Sequence, residues 1–210
     1  MRKYGWTQAA LAALLGFAAP AGPVEAQRPL IVAGGLTMST IGGDDVNDEE
    51  VESRTGFFVA VGTSFALSPT LSISPFVGYT ERGWESPDGE AEVKVTYIDV
   101  PVMLGLAVPL GETFGLNISA GPRVSFNLGC DFEGEGVSVE CDAFEEIGVE
   151  PESIDFGVLG DVGLAFQISP TVGLGVGAGY DLGLIDVFED ISATHRGPYF
   201  YVGLSFLMGG

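Results

Sequence analysis

Residues 114–128, FGLNISAGPRVSFNL, alternate between two kinds of residue along their whole length. The even-numbered positions are all apolar, as at Ile118 and Phe126, whereas the odd-numbered positions are glycine or polar, including Arg123. Successive side chains of a β-strand point to opposite faces of the sheet. The stretch therefore predicts one long strand that separates an apolar environment from a polar one.

The same alternation recurs along the chain. It marks eight segments, at about 29–40, 56–67, 71–82, 94–108, 114–128, 153–168, 172–187 and 198–208. Short connections with Pro or Gly turn residues alternate with long ones, at about 41–55, 83–93, 129–152 and 188–197. This order predicts a single all-β domain, an eight-stranded antiparallel up-and-down meander. Closure into a barrel would leave no exposed strand edge.

Two kinds of barrel remain possible, because the apolar face can point inward around a ligand or outward toward lipid. The polar face consists mainly of Gly, Ser, Ala and Asn, which suits the narrow lumen of an eight-stranded barrel. Aromatic residues of the apolar face fall into two bands, as the girdles of a membrane barrel do. The bands are Phe65, Phe114, Phe166 and Phe206, and Phe57, Tyr79, Phe126, Phe156 and Phe200. The sequence thus predicts a transmembrane β-barrel.

The charge of the chain has an uneven distribution. There are 29 Asp and Glu against 8 Lys and Arg, for a net charge of −21, and 21 of the carboxylates lie in the four long connections. A lipid-facing barrel has a reason for this segregation, because charge on the lipid face is costly. The net charge disfavours nucleic acid as a partner, and the high apolar content disfavours disorder.

The N-terminal residues 1–26 have the features of a secretory signal peptide. Arg2 and Lys3 precede an apolar stretch at 9–19, and Val24 and Ala26 supply the small residues of a cleavage site. The apolar stretch is too short to span a bilayer as a helix. We expect cleavage after Ala26 and export of a barrel domain that covers residues 27–210.

Three short motifs carry a resemblance to a known family. They are the strand motif at 97–101 (YIDVP), the stretches at 155–157 (DFG) and 180–184 (YDLGL), and a final strand in which Tyr201, Gly203, Phe206 and Met208 match an outer-membrane insertion signal. The chain resembles the PorT-like, outer-membrane β-barrel-domain proteins of Gram-negative bacteria. The resemblance implies an outer-membrane location, contact with outer-membrane lipid and lipopolysaccharide, and insertion by the barrel-assembly machinery.

Charged residues on the polar face form the first candidate site. Counted from the short turns, five of them are expected at similar heights: Arg82, Asp99, Arg123, Asp161 and Asp181. Arginines in a lumen with little water need carboxylate partners. We expect a salt-bridge network that plugs the barrel, with a proton or ion path as the alternative.

The third long connection holds the two cysteines of the chain, Cys130 and Cys141. An even cysteine number in an exported protein predicts a disulfide. The same connection contains Asp131, Glu133, Glu135 and Asp142, which loosely resemble a calcium loop. The match is poor at several positions, so the alternatives are pooled, weak binding of divalent ions and plain solvated loops.

Catalysis is not expected. His195 is the single histidine, predicted to lie in a loop, and no base, nucleophile and orienting carboxylate form a recognisable set around it. We therefore expect a non-catalytic barrel without a cofactor, with a structural or surface-interaction role through its acidic loops. The alternatives are a narrow channel for ions or small apolar solutes and a soluble periplasmic ligand-binding barrel. The sequence names no protein partner.

Overall fold

The computed structural model describes residues 28–44, 46–47, 49–134, 137–141, 152–188 and 192–207. The predicted signal peptide, Glu135, Asp142 and Met208 lie outside these residues. Within the described part of the chain, no helix is long and apolar enough to cross a membrane.

The described residues form ten β-strands. They are β1 (Pro29–Gly42), β2 (Glu52–Thr63), β3 (Phe65–Ala66), β4 (Leu71–Glu85), β5 (Ala91–Pro109), β6 (Phe114–Gly134), β7 (Val137–Glu140), β8 (Ile154–Ser169), β9 (Val172–Gly183) and β10 (Thr194–Leu207).

Eight of these strands close into one antiparallel barrel, which confirms the predicted fold. The order around the barrel is β2, β1, β10, β9, β8, β6, β5 and β4, and β4 pairs back with β2. The short β3 follows β2 and also pairs with β4. The first and last barrel strands pair with each other, Pro29 opposite Leu207, so both ends of the described barrel lie at the short-turn end.

The strands differ from their predicted bounds mainly at the long-loop end. Strand β6 continues to Gly134 because β5 pairs with it along that extension. Strand β7 folds back onto the same extension, with Phe132 opposite Val139. The third long connection therefore begins as a hairpin that stands above the barrel wall.

The two faces of the barrel wall differ as the alternation predicts. Ile118 and Phe126 point outward and are 46% and 45% exposed, whereas Arg123 and Ser125 of the same strand point inward and are 1% and 0% exposed. An outer surface of exposed Val, Leu, Ile and Phe is the arrangement of a membrane barrel. A soluble barrel has the opposite arrangement, with its apolar face inside.

Candidate functional site in the barrel lumen

Four buried charged residues and the partly buried Asp181, from five adjacent strands, form an ion-pair layer in the lumen. Their ion pairs are Arg82–Asp99 at 2.6 Å, Arg82–Asp181 at 2.8 Å, Arg123–Asp155 at 2.7 Å and Arg123–Asp181 at 2.7 Å. Asp181 binds one arginine through each carboxylate oxygen and thereby links the two halves of the layer. Two guanidinium groups and three carboxylates are thus held in one hydrogen-bonded network.

The ion-pair layer crosses the lumen from wall to wall. Arg82 lies on β4 and Asp181 on β9, which are four strands apart in either direction around the barrel. The Arg82 and Asp181 side chains therefore span the barrel together, and their hydrogen bond of 2.8 Å from Arg82 Nε joins them. The ion-pair layer therefore places an obstruction across the lumen at this height.

The structure brings together four of the five predicted lumen charges and corrects the fifth. Asp161 is not part of the ion-pair layer, and Asp155 takes its place beside Arg123. The strand register explains the difference, since Asp155 lies opposite Ser125 whereas Asp161 lies opposite Ser119, nearer the short turns. Asp155 could have been found from its position on the polar face of the predicted strand.

A second connection across the lumen lies beside the first. The Tyr97 hydroxyl and His195 Nε2 are 3.1 Å apart, and β5 and β10 are again opposite strands of the barrel. Arg82 stacks over the Tyr97 ring at 5.1 Å from its centroid, in a cation–π contact. The prediction of a loop around His195 is wrong, because this residue lies in β10 and is 1% exposed.

Apolar side chains cover the ion-pair layer on the long-loop side, and we call this group the cap. The cap consists of Ile41, Trp84, Val95, Cys130, Cys141, Val187, Phe188 and Ala193. The Trp84 and Phe188 rings meet edge to face at 5.8 Å. The predicted disulfide between Cys130 and Cys141 is confirmed, and it lies buried within the cap. The lumen is therefore closed toward the long loops by an ionic and an apolar layer.

The calcium-loop candidates are only partly described. Asp131 forms an ion pair with Lys94 at 3.0 Å, and Glu133 is exposed on the same strand. Glu135 and Asp142 lie outside the described residues. No group of three or more His, Cys, Asp or Glu in the described ranges is arranged to hold a metal ion.

Below the ion-pair layer, on the short-turn side, the lumen contains a cavity of about 240 Å³. Asp161 lies in its wall and accepts hydrogen bonds from Ser119 at 2.6 Å, Tyr201 at 3.1 Å and Tyr199 at 3.3 Å. The sequence analysis placed Tyr201 in the insertion signal. The Tyr201 side chain points into the lumen, and Gly203 also lines the cavity, whereas Phe206 lies on the outer face.

Glycines make room for the large side chains of the lumen. A Cβ atom at Gly177 would lie 2.5 Å from the Tyr201 ring, and one at Gly157 would lie 2.8 Å from the guanidinium carbon of Arg123. Real Cβ atoms do not approach other atoms this closely. The alternating glycines of β9 and the large lumen residues are therefore two parts of one packing arrangement.

Comparisons with known proteins agree with this architecture. A family model described as outer membrane protein beta-barrel domain matches residues 27–189. Neisserial surface protein A has a similar structure, with a TM-score of 0.50 and 14% identity over 86% of this chain and 96% of that one. The attachment invasion locus protein Ail of Yersinia pestis has a TM-score of 0.44 and 14% identity, covering 86% and 98%. OprG of Pseudomonas aeruginosa has a TM-score of 0.41 and 12% identity, covering 86% and 96%. A comparison with curated protein sequences found no match.

Proposed function

Because the chain belongs to the outer membrane protein β-barrel domain family, we propose that it is a non-catalytic barrel whose long-loop end makes contacts at the bacterial surface. The observation that carries this proposal is the closed lumen. The hydrogen bond between Arg82 and Asp181 and the cap above it obstruct the lumen toward the long loops. Contacts at the bacterial surface would therefore be made by the loop end itself. Short turns face the periplasm and long loops the exterior in barrels of this kind.

The long-loop end carries a strongly anionic surface, which we call the rim. Its exposed carboxylates are Asp44, Glu49, Glu50, Glu52, Asp88, Glu90, Glu133, Glu140 and Asp186. Two basic residues near them, Arg54 and Lys94, are buried or partly buried. Both form ion pairs with neighbouring carboxylates. A 2.5 Å hydrogen bond from the Ser86 hydroxyl lowers the pKa of Asp88, which keeps this rim carboxylate ionised. The rim is therefore an anionic surface at neutral pH.

We propose lipopolysaccharide, bound through divalent cations, as the main partner of the rim. Lipopolysaccharide is itself anionic, so a direct contact with the rim would be repulsive. Ca²⁺ and Mg²⁺ bind carboxylate and phosphate oxygens and can bridge two anionic surfaces. The rim is then a set of shared oxygen ligands, with part of the coordination sphere supplied by the lipid.

Removal of rim charge tests this function. In Glu49→Gln/Glu50→Gln/Glu52→Gln, we expect Mg²⁺-dependent binding of the detergent-purified barrel to lipopolysaccharide-containing vesicles to weaken about tenfold, because charged ligands are lost. Vesicle co-sedimentation with and without a chelator measures the effect. Glu112→Gln is the matched control, since Glu112 is exposed at the short-turn end. Binding of the triple variant at the level of the unchanged protein would contradict the proposal.

A narrow channel is the second candidate function, and the cavity below the ion-pair layer is the observation that favours it. The closed loop end predicts that the unchanged protein shows no steady conductance in planar bilayers. Arg82→Ala removes the connection across the barrel to Asp181, so we expect it to raise conductance. Arg28→Ala is the control, because Arg28 is exposed at the short-turn end, where it stacks on Phe65, and is not among the residues that line the lumen cavity. Steady single-channel currents from the unchanged protein would favour the channel over the closed barrel.

Two finer assignments belong to the same proposal. The first is that the chain is PorT-like, which is supported by the motif at 97–101. The second is that the barrel-assembly machinery recognises the final strand, in which Phe206 faces outward. An outer surface of exposed Phe, Val and Leu does not support the alternative of a soluble periplasmic barrel. Such a surface would be covered by lipid or detergent in any purified form of the protein.

A further inference from the structure

We propose that the cavity below the ion-pair layer binds a small organic cation, with the ammonium group of the ligand against the carboxylate of Asp161. This site is separate from the rim and goes beyond the surface function proposed above. It lies in the lumen on the short-turn side, where Asp161, Tyr199 and Tyr201 share one part of the cavity wall.

The charge balance of the lumen is the first argument. Arg82 and Arg123 each form two ion pairs with the three carboxylates of the ion-pair layer. Asp161 is the fourth carboxylate, and its hydrogen-bond partners in the structure are hydroxyl groups rather than a cation. Asp161 is partly buried in the cavity wall, where an ionised carboxylate is stabilised by a cation that pairs with it. A ligand with one positive charge would supply that balance.

The hydroxyl groups around Asp161 suit an ammonium ion. Tyr199 and Tyr201 each use their proton toward Asp161, which leaves lone pairs on their oxygens that can accept. An ammonium group carries three donors, so it can bind the carboxylate and one or both tyrosine oxygens. The two tyrosine rings lie 6.3 Å apart and also offer their faces for cation–π contact.

The remaining walls suit an apolar body on the ligand. Ile31, Phe58, Phe76 and Met103 line the cavity, and the Phe58 and Tyr199 rings meet edge to face at 6.1 Å. The cavity volume of about 240 Å³ corresponds to about eight water-sized units. A short alkylammonium ion of about five heavy atoms fits within this space, with room for water beside it.

Two other ligand classes fit less well. A metal ion needs several oxygen ligands, and the described residues provide no group of three acidic, His or Cys side chains to hold one. An anion would meet the four carboxylates of Asp99, Asp155, Asp161 and Asp181, which outnumber the three arginines of the ion-pair layer and the cavity wall, Arg82, Arg123 and Arg196. An organic cation is the ligand class that fits both the negative charge of Asp161 and the apolar residues of the cavity wall.

Access is from the short-turn side, because the ion-pair layer and the cap close the other side. Ser64, Ser72, Asn117 and Ser205 line the lower part of the cavity. In the described part of the chain, no side-chain hydrogen bond connects opposite strands below Asp161. The site would therefore take its ligand from the compartment that the short turns face.

Binding of n-butylammonium to the detergent-solubilised, full-length barrel tests the proposal, with 1-butanol as the neutral probe of equal size. We expect n-butylammonium to raise the thermal transition and to shift the NMR signals of Gly163 and Gly177, which lie beside Tyr201. In Asp161→Asn its affinity should fall about tenfold, because a charge-assisted hydrogen bond is lost. The asparagine oxygen can accept from Ser119 and Tyr199, as one carboxylate oxygen does, and its NH2 group can donate to the Tyr201 oxygen, so the barrel should still fold.

Two further variants separate this site from general charge effects. Asp131→Asn removes a carboxylate near the rim and should leave n-butylammonium binding unchanged. Tyr201→Phe removes one hydroxyl and should weaken binding a few-fold without removing the charge. Equal binding of 1-butanol, or unchanged affinity in Asp161→Asn, would overturn the proposal. Loss of binding in Asp131→Asn would also overturn it, since it would place the ligand at the loop end.

Discussion

Arg123→Ala is expected to lower the free energy of unfolding by about 3–5 kcal/mol, because it leaves the buried carboxylate of Asp155 without its cation. Arg123 is 1% exposed and binds Asp155 and Asp181 at 2.7 Å each. After the substitution Asp155 has no arginine within ion-pair distance among the described residues, and Asp181 retains only Arg82. Urea unfolding in lipid vesicles, followed by gel mobility of the folded form, measures the change.

Two control variants show whether the charge or the cavity causes this loss. Arg123→Ala/Asp155→Ala restores the original charge difference in the lumen, so we expect it to regain part of the lost stability. Arg28→Ala makes the same substitution at an exposed position of the short-turn end, where about 0.5 kcal/mol or less is typical. A thermal transition of Arg123→Ala equal to that of the unchanged protein would show that the ion-pair layer contributes nothing to stability.

Gly177→Val is expected to destabilise the barrel by about 3 kcal/mol or to prevent its folding, because the lumen has no room for the side chain. A Cβ atom at this position would lie 2.5 Å from the Tyr201 ring and 2.6 Å from the carbonyl oxygen of Val162. The tyrosine could rotate away, but the backbone carbonyl belongs to the barrel wall and cannot. Folding yield and urea unfolding in vesicles measure the effect.

Gly175→Ala is the matched control for this prediction. Gly175 lies two residues away on the same face of β9, and a Cβ atom there would have its nearest neighbours at 4.0 Å. We expect a change within about 0.5 kcal/mol. Gly177→Ala should fall between the two. Equal stability of Gly175→Ala and Gly177→Val would mean that strand propensity, rather than lumen packing, determines the glycine positions.

Much of the fold could be predicted from local patterns. The period of two at 114–128 predicts a strand with an apolar and a polar face, and the structure places Phe126 outside and Arg123 inside. The alternation of short and long connections predicts the meander. These features depend on neighbouring residues only, so a single sequence is enough to predict them. The bounds at the loop end were less predictable, because strand pairing in the β6–β7 hairpin sets them.

The candidate site was only partly predictable, since it depends on how distant strands meet. Arg82, Asp99, Arg123 and Asp181 were expected in the lumen, but the register between β6 and β8 decides that Asp155 rather than Asp161 binds Arg123. Tyr97 and His195 are 98 residues apart in the chain and meet at 3.1 Å across the barrel. No local pattern marks such a contact.

By itself, the sequence determined the face on which each side chain lies, because the two-residue period of a strand assigns every position to the lumen or to the outer surface. It also determined that the carboxylates gather in the long connections. Which side chains share a height in the closed barrel depends on the register between strands, and no local pattern specifies that register. That register separates Asp161 from the arginines and places it beside Tyr199 and Tyr201 in the wall of a cavity.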